Sequence, residues 1–133
     1  MKRICLDTDF LVAILRNHLE AIKRAEEYDS IGVQVTTTPM NAFEICLGAF
    51  RSEKTAQNVK EAENLLNSNN LLDFTLESSR RSGEILSELL HRGTPIDLRD
   101  AIIAGITIVS EYTLVTRNEK HFRRIPGLRI ELW

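Results

Sequence analysis

Cysteine, surplus positive charge and long apolar runs are all scarce in this chain of 133 residues. Its two cysteines, Cys5 and Cys46, lie far apart and each between apolar neighbours, which favours buried, reduced thiols over a disulfide or a zinc site. Lys and Arg number 17 against 19 Asp and Glu, so the formal net charge is −2. Proteins that bind nucleic acid through bulk charge usually carry a clear basic excess. A polyanionic ligand would therefore have to be met locally, by a metal ion or a small patch.

The apolar runs are too short to cross a membrane. Residues 10–15 and 101–109 form the longest of them, whereas a membrane span takes roughly 20 residues. At the start of the chain, Asp7 comes before any apolar region typical of a signal peptide develops. We therefore expect a cytoplasmic protein with no membrane partner.

What the chain does have is enough apolar material for one core. Hydrophobic residues make up 43% of it. A chain of this length buries roughly two thirds of the surface that it exposes when unfolded, so stability needs neither disulfides nor a structural metal. No linker, low-complexity tract or internal repeat divides the sequence. We expect residues 1–133 to form a single domain.

Strand patterns alternate with helix patterns along the whole chain. The predicted strands cover residues 2–6, 32–37, 71–74, 113–116 and 128–132, and the predicted helical segments cover residues 10–28, 39–50, 54–67, 77–92 and 98–111. This alternation predicts a three-layer α/β/α sandwich with a central, mostly parallel sheet. Ligands in such folds bind beyond the carboxyl ends of the strands, so reactive side chains are expected there.

Four polar residues fall at this predicted edge of the sheet. Asp7 follows the first strand, Glu44 lies in the helix after the second, Asp100 stands near the start of an apolar helix, and Asn118 follows the fourth strand. If the carboxylates converge, mutual repulsion raises their pKa values unless a cation is bound. Hard oxygen ligands of this kind suit Mg²⁺, for which Mn²⁺ can substitute.

Each of these residues also has a structural explanation. The acids after the first strand could cap the following helix, and Asp100 could complement a helix dipole. Glu44 lies among apolar residues in a region that we expect to be mostly buried, where an acid without a partner is costly. A salt bridge to an arginine such as Arg51 or Arg99 is its main structural alternative.

Four motifs, in the order found here, are similar to those of a known family. They are segment 4–9 (ICLDTD), the helix-borne Glu44, segment 99–104 (RDAIIA) and segment 114–122 (LVTRNEKHF), and segment 125–128 (IPGL) fits as well. Together they resemble the PIN-domain family, and within it the VapC-type toxin ribonucleases. The resemblance covers nearly the whole chain, and four ordered motifs are far more specific than any one of them.

The resemblance implies a PIN-like fold and a Mg²⁺- or Mn²⁺-dependent endoribonuclease. Asp7, Glu44 and Asp100 would be the metal ligands and, with Asn118, the catalytic residues. The metal would activate a water that attacks the phosphodiester bond of RNA. The family also implies a homodimer and a cognate antitoxin protein that inhibits the chain, which would be the toxin of a toxin-antitoxin pair.

One position departs from the family pattern. His121 stands where the family often has an acid just before the late phenylalanine. Asn118 could supply the missing oxygen, His121 could reach the metal or a phosphate, or three carboxylates and water could suffice. His121 could equally be a surface residue. Asp97 is a weaker candidate acid than Asp100, and Asp9 suits a supporting or capping position better than direct ligation.

Two other functions stay open from the sequence. The segment Asp7-Thr8-Asp9 resembles the Asp-x-Asp start of haloacid-dehalogenase-type phosphatases, although that family does not account for Glu44. The second is a PIN-like binding module that no longer catalyses, which His121 weakly favours. A metal titration separates the nuclease from the inert module, because the module should have no specific Mn²⁺ site.

Basic residues near the predicted site are candidate contacts for the phosphates of RNA. Arg117 adjoins Asn118, and we single out no other member of the set. The candidates are Arg16, Arg51, Arg99, Arg117, Lys120, Arg123 and Arg124.

Overall fold

The computed structural model describes residues 2–133. Strands and helices alternate through these residues, as the sequence predicts. The strands are β1 Arg3–Leu6, β2 Gln34–Thr37, β3 Asn70–Leu71, β4 Thr113–Thr116 and β5 Arg129–Leu132. The helices are α1 Thr8–Leu15, α2 Leu19–Ser30, α3 Pro39–Phe50, α4 Thr55–Asn67, α5 Leu76–His91, α6 Leu98–Val109 and α7 Glu119–Phe122.

The strands form one sheet in the order β3-β2-β1-β4-β5, and every neighbouring pair is parallel. The predicted sandwich with a mostly parallel central sheet is therefore confirmed. From β1 the chain builds outward through β2 and β3, then returns to the other side of β1 for β4 and β5. Strand order thus reverses between β1 and β4. In open α/β sheets the crevice at the carboxyl ends of such strands is where ligands bind.

Two hydrophobic cores cover the two faces of this sheet. Alternating residues of a strand point to opposite faces, so Ile4 and Leu6 belong to one core and Cys5 to the other. The first core is completed by buried residues of α1 to α4, and the second by buried residues of α5 to α7. Helices on both faces make the three layers.

Helix starts bring polar residues to the carboxyl edge. Asp7 alone separates β1 from α1 and caps that helix. Thr38 caps α3 directly after β2, and its hydroxyl and main-chain N–H are paired reciprocally with Asn41 in a capping box. Asp97 caps α6 by accepting from the Arg99 N–H at 2.8 Å. Short connections therefore fix three helix N-termini at this edge.

Several elements differ from the sequence prediction. The strand expected at 71–74 is instead the two-residue β3, which pairs only with Thr36 and Thr37 of β2. The short helix α7 was not predicted, because four residues carry too little periodicity to be recognised. Cys46 is half-buried rather than buried, although both cysteines are free as expected. Gly93 ends α5 as predicted, with a positive φ of 75° that favours glycine.

Among the described residues, no helix has the length and the apolar character needed to cross a membrane.

Candidate functional site

Asp7 stands at the centre of a hydrogen-bond network at the β1–β4 edge. Its Oδ1 accepts from the Thr8 N–H at 2.8 Å and from the side-chain amide of Asn41 at 3.1 Å. Its Oδ2 accepts from the Thr116 hydroxyl at 2.7 Å. Asp7 is only 6% exposed, so α1, α3 and β4 each contribute a donor that fixes a nearly buried carboxyl group.

The acids of the site influence one another electrostatically. Burial raises the pKa of Asp7 to about 7, and the charges of Asp9 and Asp100 add to the rise. Burial also raises the pKa of Asp100, to which Asp97 and Glu44 contribute. Asp100 thus lies within electrostatic reach of both Asp7 and Glu44, the other two predicted acids. Negative charge gathered at one edge favours the binding of a cation there.

Glu44 reaches the site from α3. The Thr8 hydroxyl donates to its Oε1 at 2.7 Å, and Arg99 Nη1 lies 3.6 Å from its Oε2. Of the two arginines offered as a structural alternative for Glu44, Arg99 is therefore the one that pairs with it. The prediction of mostly buried surroundings is wrong, because Phe43 and Leu47 are 54% and 38% exposed. The face of α3 that carries them turns away from the sheet, which leaves Glu44 half-buried.

His121 joins the site on the side of Asp100. Its Nδ1 lies 3.4 Å from Asp100 Oδ2 and 3.1 Å from the side-chain nitrogen of Asn118. The main-chain N–H of Asn118 donates to the Thr116 hydroxyl at 2.9 Å. The position of His121 is therefore beside the acids, with half of its side chain exposed, although the chemical roles of His121 and Asn118 stay predictions.

Asn41 is a site residue that the sequence analysis missed. It is fully buried, and besides Asp7 its amide donates to the Thr8 hydroxyl at 2.9 Å. Its carbonyl oxygen accepts from the Thr38 hydroxyl at 2.6 Å. The Thr-Pro-x-Asn sequence at the start of α3 indicates a capping box, but only the fold shows that this asparagine also supports Asp7.

The carboxylates do not form a ready-made cage for a bare ion. Within residues 2–133, no three His, Cys, Asp or Glu side chains are close enough together to hold one metal. Glu44 is instead engaged by Thr8 and Arg99. Asp7 and Asp100 are left as the central pair, and Glu44 as a direct ligand stays a prediction. Asp97 is half-exposed and occupied as the cap of α6.

Arg117 is less available to a substrate than its position beside Asn118 suggests. Its Nη2 lies 2.5 Å from Glu20 Oε2, and its Nε donates to the main-chain oxygen of Trp133 at 3.0 Å. These contacts tie the side chain down on the side of α2 and β5. Arg99, in contrast, is an arginine of the candidate set that is paired with a predicted site acid, Glu44.

Comparisons with known proteins identify the family of this chain. The PIN domain family matches residues 4–128. The tRNA(fMet)-specific endonuclease VapC of Salmonella typhimurium is 29% identical over 133 residues, covering 100% of this chain and 99% of that protein. Ribonuclease VapC2 of Rickettsia felis is 30% identical over 128 residues, covering 96% of each chain.

The fold is shared with a solved structure at high similarity. VapBC2 from Rickettsia felis, bound to a DNA fragment from their promoter, superposes with a TM-score of 0.90 at 29% identity, and the match covers 98% of each chain. The family match over most of the sequence and the shared parallel sheet point to the same conclusion. The chain belongs to the PIN domain family, in the group of the VapC ribonucleases.

Proposed function

We propose that this chain is an endoribonuclease that hydrolyses RNA phosphodiester bonds with a divalent metal ion, Mg²⁺ or Mn²⁺, and that it is the toxin of a toxin-antitoxin pair. The observation that carries the proposal is the nearly buried carboxyl group of Asp7, which donors from α1, α3 and β4 fix at the reversal of strand order between β1 and β4. Support comes from relatives named ribonuclease or endonuclease that match nearly the full chain.

The residues present fit a hydrated hard cation. Mg²⁺ usually keeps several waters and is bound by one or two carboxylates together with substrate phosphate, so it does not need three protein ligands in direct contact. Asp7 and Asp100 would hold it, and Glu44 could reach it directly or through water. The raised pKa values of Asp7 and Asp100 agree with this assignment, because a bound cation would stabilise both carboxylates in the charged form.

The main contribution of the protein's own side chains would be to orient the metal ligands and the RNA phosphate. Thr8 and Asn41 donate to Oδ1 of Asp7 and Thr116 donates to Oδ2, so these three residues fix the orientation of the carboxylate and leave Oδ2 one acceptor site for a further ligand. When bound, a divalent ion supplies an activated water and offsets the charge that develops on the phosphate. His121, beside Asp100 and half-exposed, would donate a hydrogen bond to a phosphate oxygen. No side chain needs to serve as a nucleophile.

The partners of this proposal are RNA and a cognate antitoxin protein, with a homodimer of single-domain chains spanning residues 1–133. A groove of about 240 Å³ adjoins Glu44 and is a candidate surface for an antitoxin segment that reaches the acids. It lies between α1, α3 and α4 and is lined by Val12, Leu15, Arg16, Glu44, Ile45, Gly48, Ala49, Ser52, Asn58 and Glu61. The exposed apolar residues Phe43, Leu47 and Phe50 of α3 add a further surface for either partner.

The test is cleavage of a labelled single-stranded RNA pool by purified protein, free of antitoxin, in Mn²⁺, Mg²⁺ or EDTA. Asp7→Asn and Asp100→Asn should abolish cleavage, since each removes a charged ligand while keeping the side-chain shape. Asp97→Asn is the matched control, because asparagine also caps helices and residue 97 is not in the proposed metal site. Cleavage that persists in EDTA or in both site variants, and that co-purifies with the protein through a further chromatographic step, would contradict the proposal.

The inert binding module is the second candidate, and the departure at His121 is the observation in its favour. Calorimetric titration with Mn²⁺ decides between the two functions. A specific site that is lost in Asp7→Asn supports the nuclease. Absence of any Mn²⁺ binding by folded protein supports the module.

A further inference from the structure

The side chain of Trp133, the residue directly after β5, is fixed by contacts with Phe10, Arg117 and Asp9. Its ring packs edge-on against Phe10, with centroids 5.1 Å apart, and the Arg117 guanidinium lies over it at 3.7 Å. Arg117 Nε also donates to the main-chain oxygen of Trp133 at 3.0 Å. These contacts fix the indole so that its N–H points at one acceptor, Oδ1 of Asp9, at 3.1 Å.

Asp9 connects this indole to Thr116 and Asp7. Its Oδ2 accepts from the Arg117 main-chain N–H at 2.8 Å and lies 3.2 Å from the Thr116 hydroxyl. The same hydroxyl lies 2.7 Å from Asp7 Oδ2. Because Thr116 has a single hydroxyl hydrogen, Asp7 and Asp9 compete for it. The shorter distance assigns it to Asp7.

We propose that Trp133 is a positioning residue for the Asp7 carboxylate and acts through Asp9 and Thr116. With the indole N–H and the Arg117 N–H as donors, Asp9 needs no hydrogen bond from Thr116. Without the indole donor, Oδ1 of Asp9 is left unpaired in a half-buried place, and its carboxylate gains by turning to capture the hydroxyl. Asp7 Oδ2 then loses its donor. The inference rests on the proposed function, since it concerns how Asp7 is set for metal and RNA.

Trp133→Phe tests this inference with little change of packing, because it keeps an aromatic ring and removes the N–H. Tyr28→Phe is the matched control. Tyr28 donates its hydroxyl to the carboxylate of Glu131 and packs near Phe10, with ring centroids 6.5 Å apart, so the control loses one donor from the same aromatic cluster. Glu131 pairs with Lys2 and Arg24, away from Asp7.

Two quantities are measured for each variant, the Mn²⁺ dissociation constant by calorimetry and kcat/KM for cleavage of the RNA pool. Loss of a residue that orients a metal ligand typically costs 10- to 100-fold in metal affinity or activity. Trp133→Phe should therefore weaken Mn²⁺ binding and kcat/KM by about tenfold. Tyr28→Phe should leave both within about twofold of wild type, because it touches no group that orients a ligand. Urea unfolding of both variants reports their loss of stability.

A double-mutant cycle with Thr116→Val asks whether the effect passes through Thr116. Within the Thr116→Val background, Trp133→Phe should have little further effect on Mn²⁺ binding, since residues of one network are non-additive. The inference is overturned if the effects of Trp133→Phe and Thr116→Val on Mn²⁺ binding are fully additive, or if Trp133→Phe leaves Mn²⁺ binding and kcat/KM unchanged. It is also overturned if Tyr28→Phe lowers both quantities as much as Trp133→Phe does. If the wild-type protein neither binds Mn²⁺ nor cleaves RNA, the proposed function fails, and the inference fails with it. If the wild-type protein is active and Trp133→Phe has no effect, only the inference fails.

Discussion

The side-chain amide of Asn41 donates to Asp7 Oδ1 at 3.1 Å, which joins the start of α3 to the end of β1. The same asparagine completes the capping box of α3. It therefore links the folding of a helix N-terminus to the orientation of the central acid. The two contributions can be separated, because α5 begins with a second capping box in which Ser78 pairs with Thr75 and contacts none of the site acids.

We predict that Asn41→Ala and Ser78→Ala each lower the free energy of unfolding by about 1–2 kcal/mol, since both remove a buried capping partner. Only Asn41→Ala should also weaken Mn²⁺ binding and RNA cleavage, by about tenfold, because it removes a donor from Asp7. Urea unfolding, calorimetry and the cleavage assay give the three values. Equal losses of activity in the two variants would mean that stability alone is responsible.

The pKa of Asp7 predicts how the stability of metal-free protein depends on pH. Its pKa is about 7 in the folded protein, mainly because the carboxyl group is buried, against about 3.9 in an unfolded chain. Between about pH 4 and pH 7, the Asp7 carboxyl group is therefore protonated in the folded state and ionised in the unfolded state. This contribution is fully present below pH 4 and is lost as the pH rises through 7, at up to about 1.4 kcal/mol per pH unit.

Urea unfolding in EDTA at intervals between pH 4.5 and about 7.5 measures this slope. The difference in unfolding free energy, wild type minus Asp7→Asn, should fall as the pH rises, because asparagine does not titrate. Excess Mn²⁺ should raise the stability of wild type more at the alkaline end, where Asp7 is charged. A constant difference between the two proteins across the range would show that Asp7 titrates normally.

Close packing of α5 on α6 gives a prediction about stability alone. A Cβ at Gly105 would lie 2.8 Å from the Ser82 nitrogen and 2.9 Å from the Ser78 oxygen, which are main-chain atoms that cannot simply rotate away. Gly105→Ala should therefore destabilise the protein by about 1–3 kcal/mol. Gly83→Ala lies on the open face of α5, where no atom of residues 2–133 outside its chain neighbours and its own helix backbone comes within 4 Å of the new Cβ. It should instead stabilise the protein by about 0.5–1 kcal/mol. Thermal or urea unfolding compares the two, and the same sign for both would contradict the packing argument.

The fold and the gathering of the acids could be predicted from local sequence. Apolar alternation gave the order of strands and helices, and Thr38-Pro39 marked the start of α3. Parallel strands end at a common edge, so Asp7 after β1 and Asn118 after β4 had to be neighbours. These features follow from short-range patterns and from the geometry of a parallel sheet.

The residues that hydrogen-bond to the site acids could not be predicted in the same way. Asn41 and Trp133 contact Asp7 and Asp9 across 34 and 124 positions of sequence, and nothing in their immediate neighbours indicates these partners. The exposure of Glu44 was also misjudged, because an apolar neighbour such as Phe43 can face outward on a helix whose other side packs on the sheet. Such features depend on which side of each helix meets the core.

Arg99 gives the last prediction, which concerns competition between a fixed cation and a metal ion. Its guanidinium lies 3.6 Å from Glu44 Oε2 and 3.1 Å from Asp97 Oδ1, and its side chain is 46% exposed. A positive charge beside these acids weakens the binding of a metal ion by electrostatic repulsion, although solvent screens the effect. Arg99→Gln should therefore tighten Mn²⁺ binding by about two- to fivefold at low salt, and less at high salt. Arg80→Gln, an equal loss of charge on the exposed side of α5, should not change it. Weaker Mn²⁺ binding by Arg99→Gln in calorimetry would mean instead that Arg99 holds Glu44 in place for the metal.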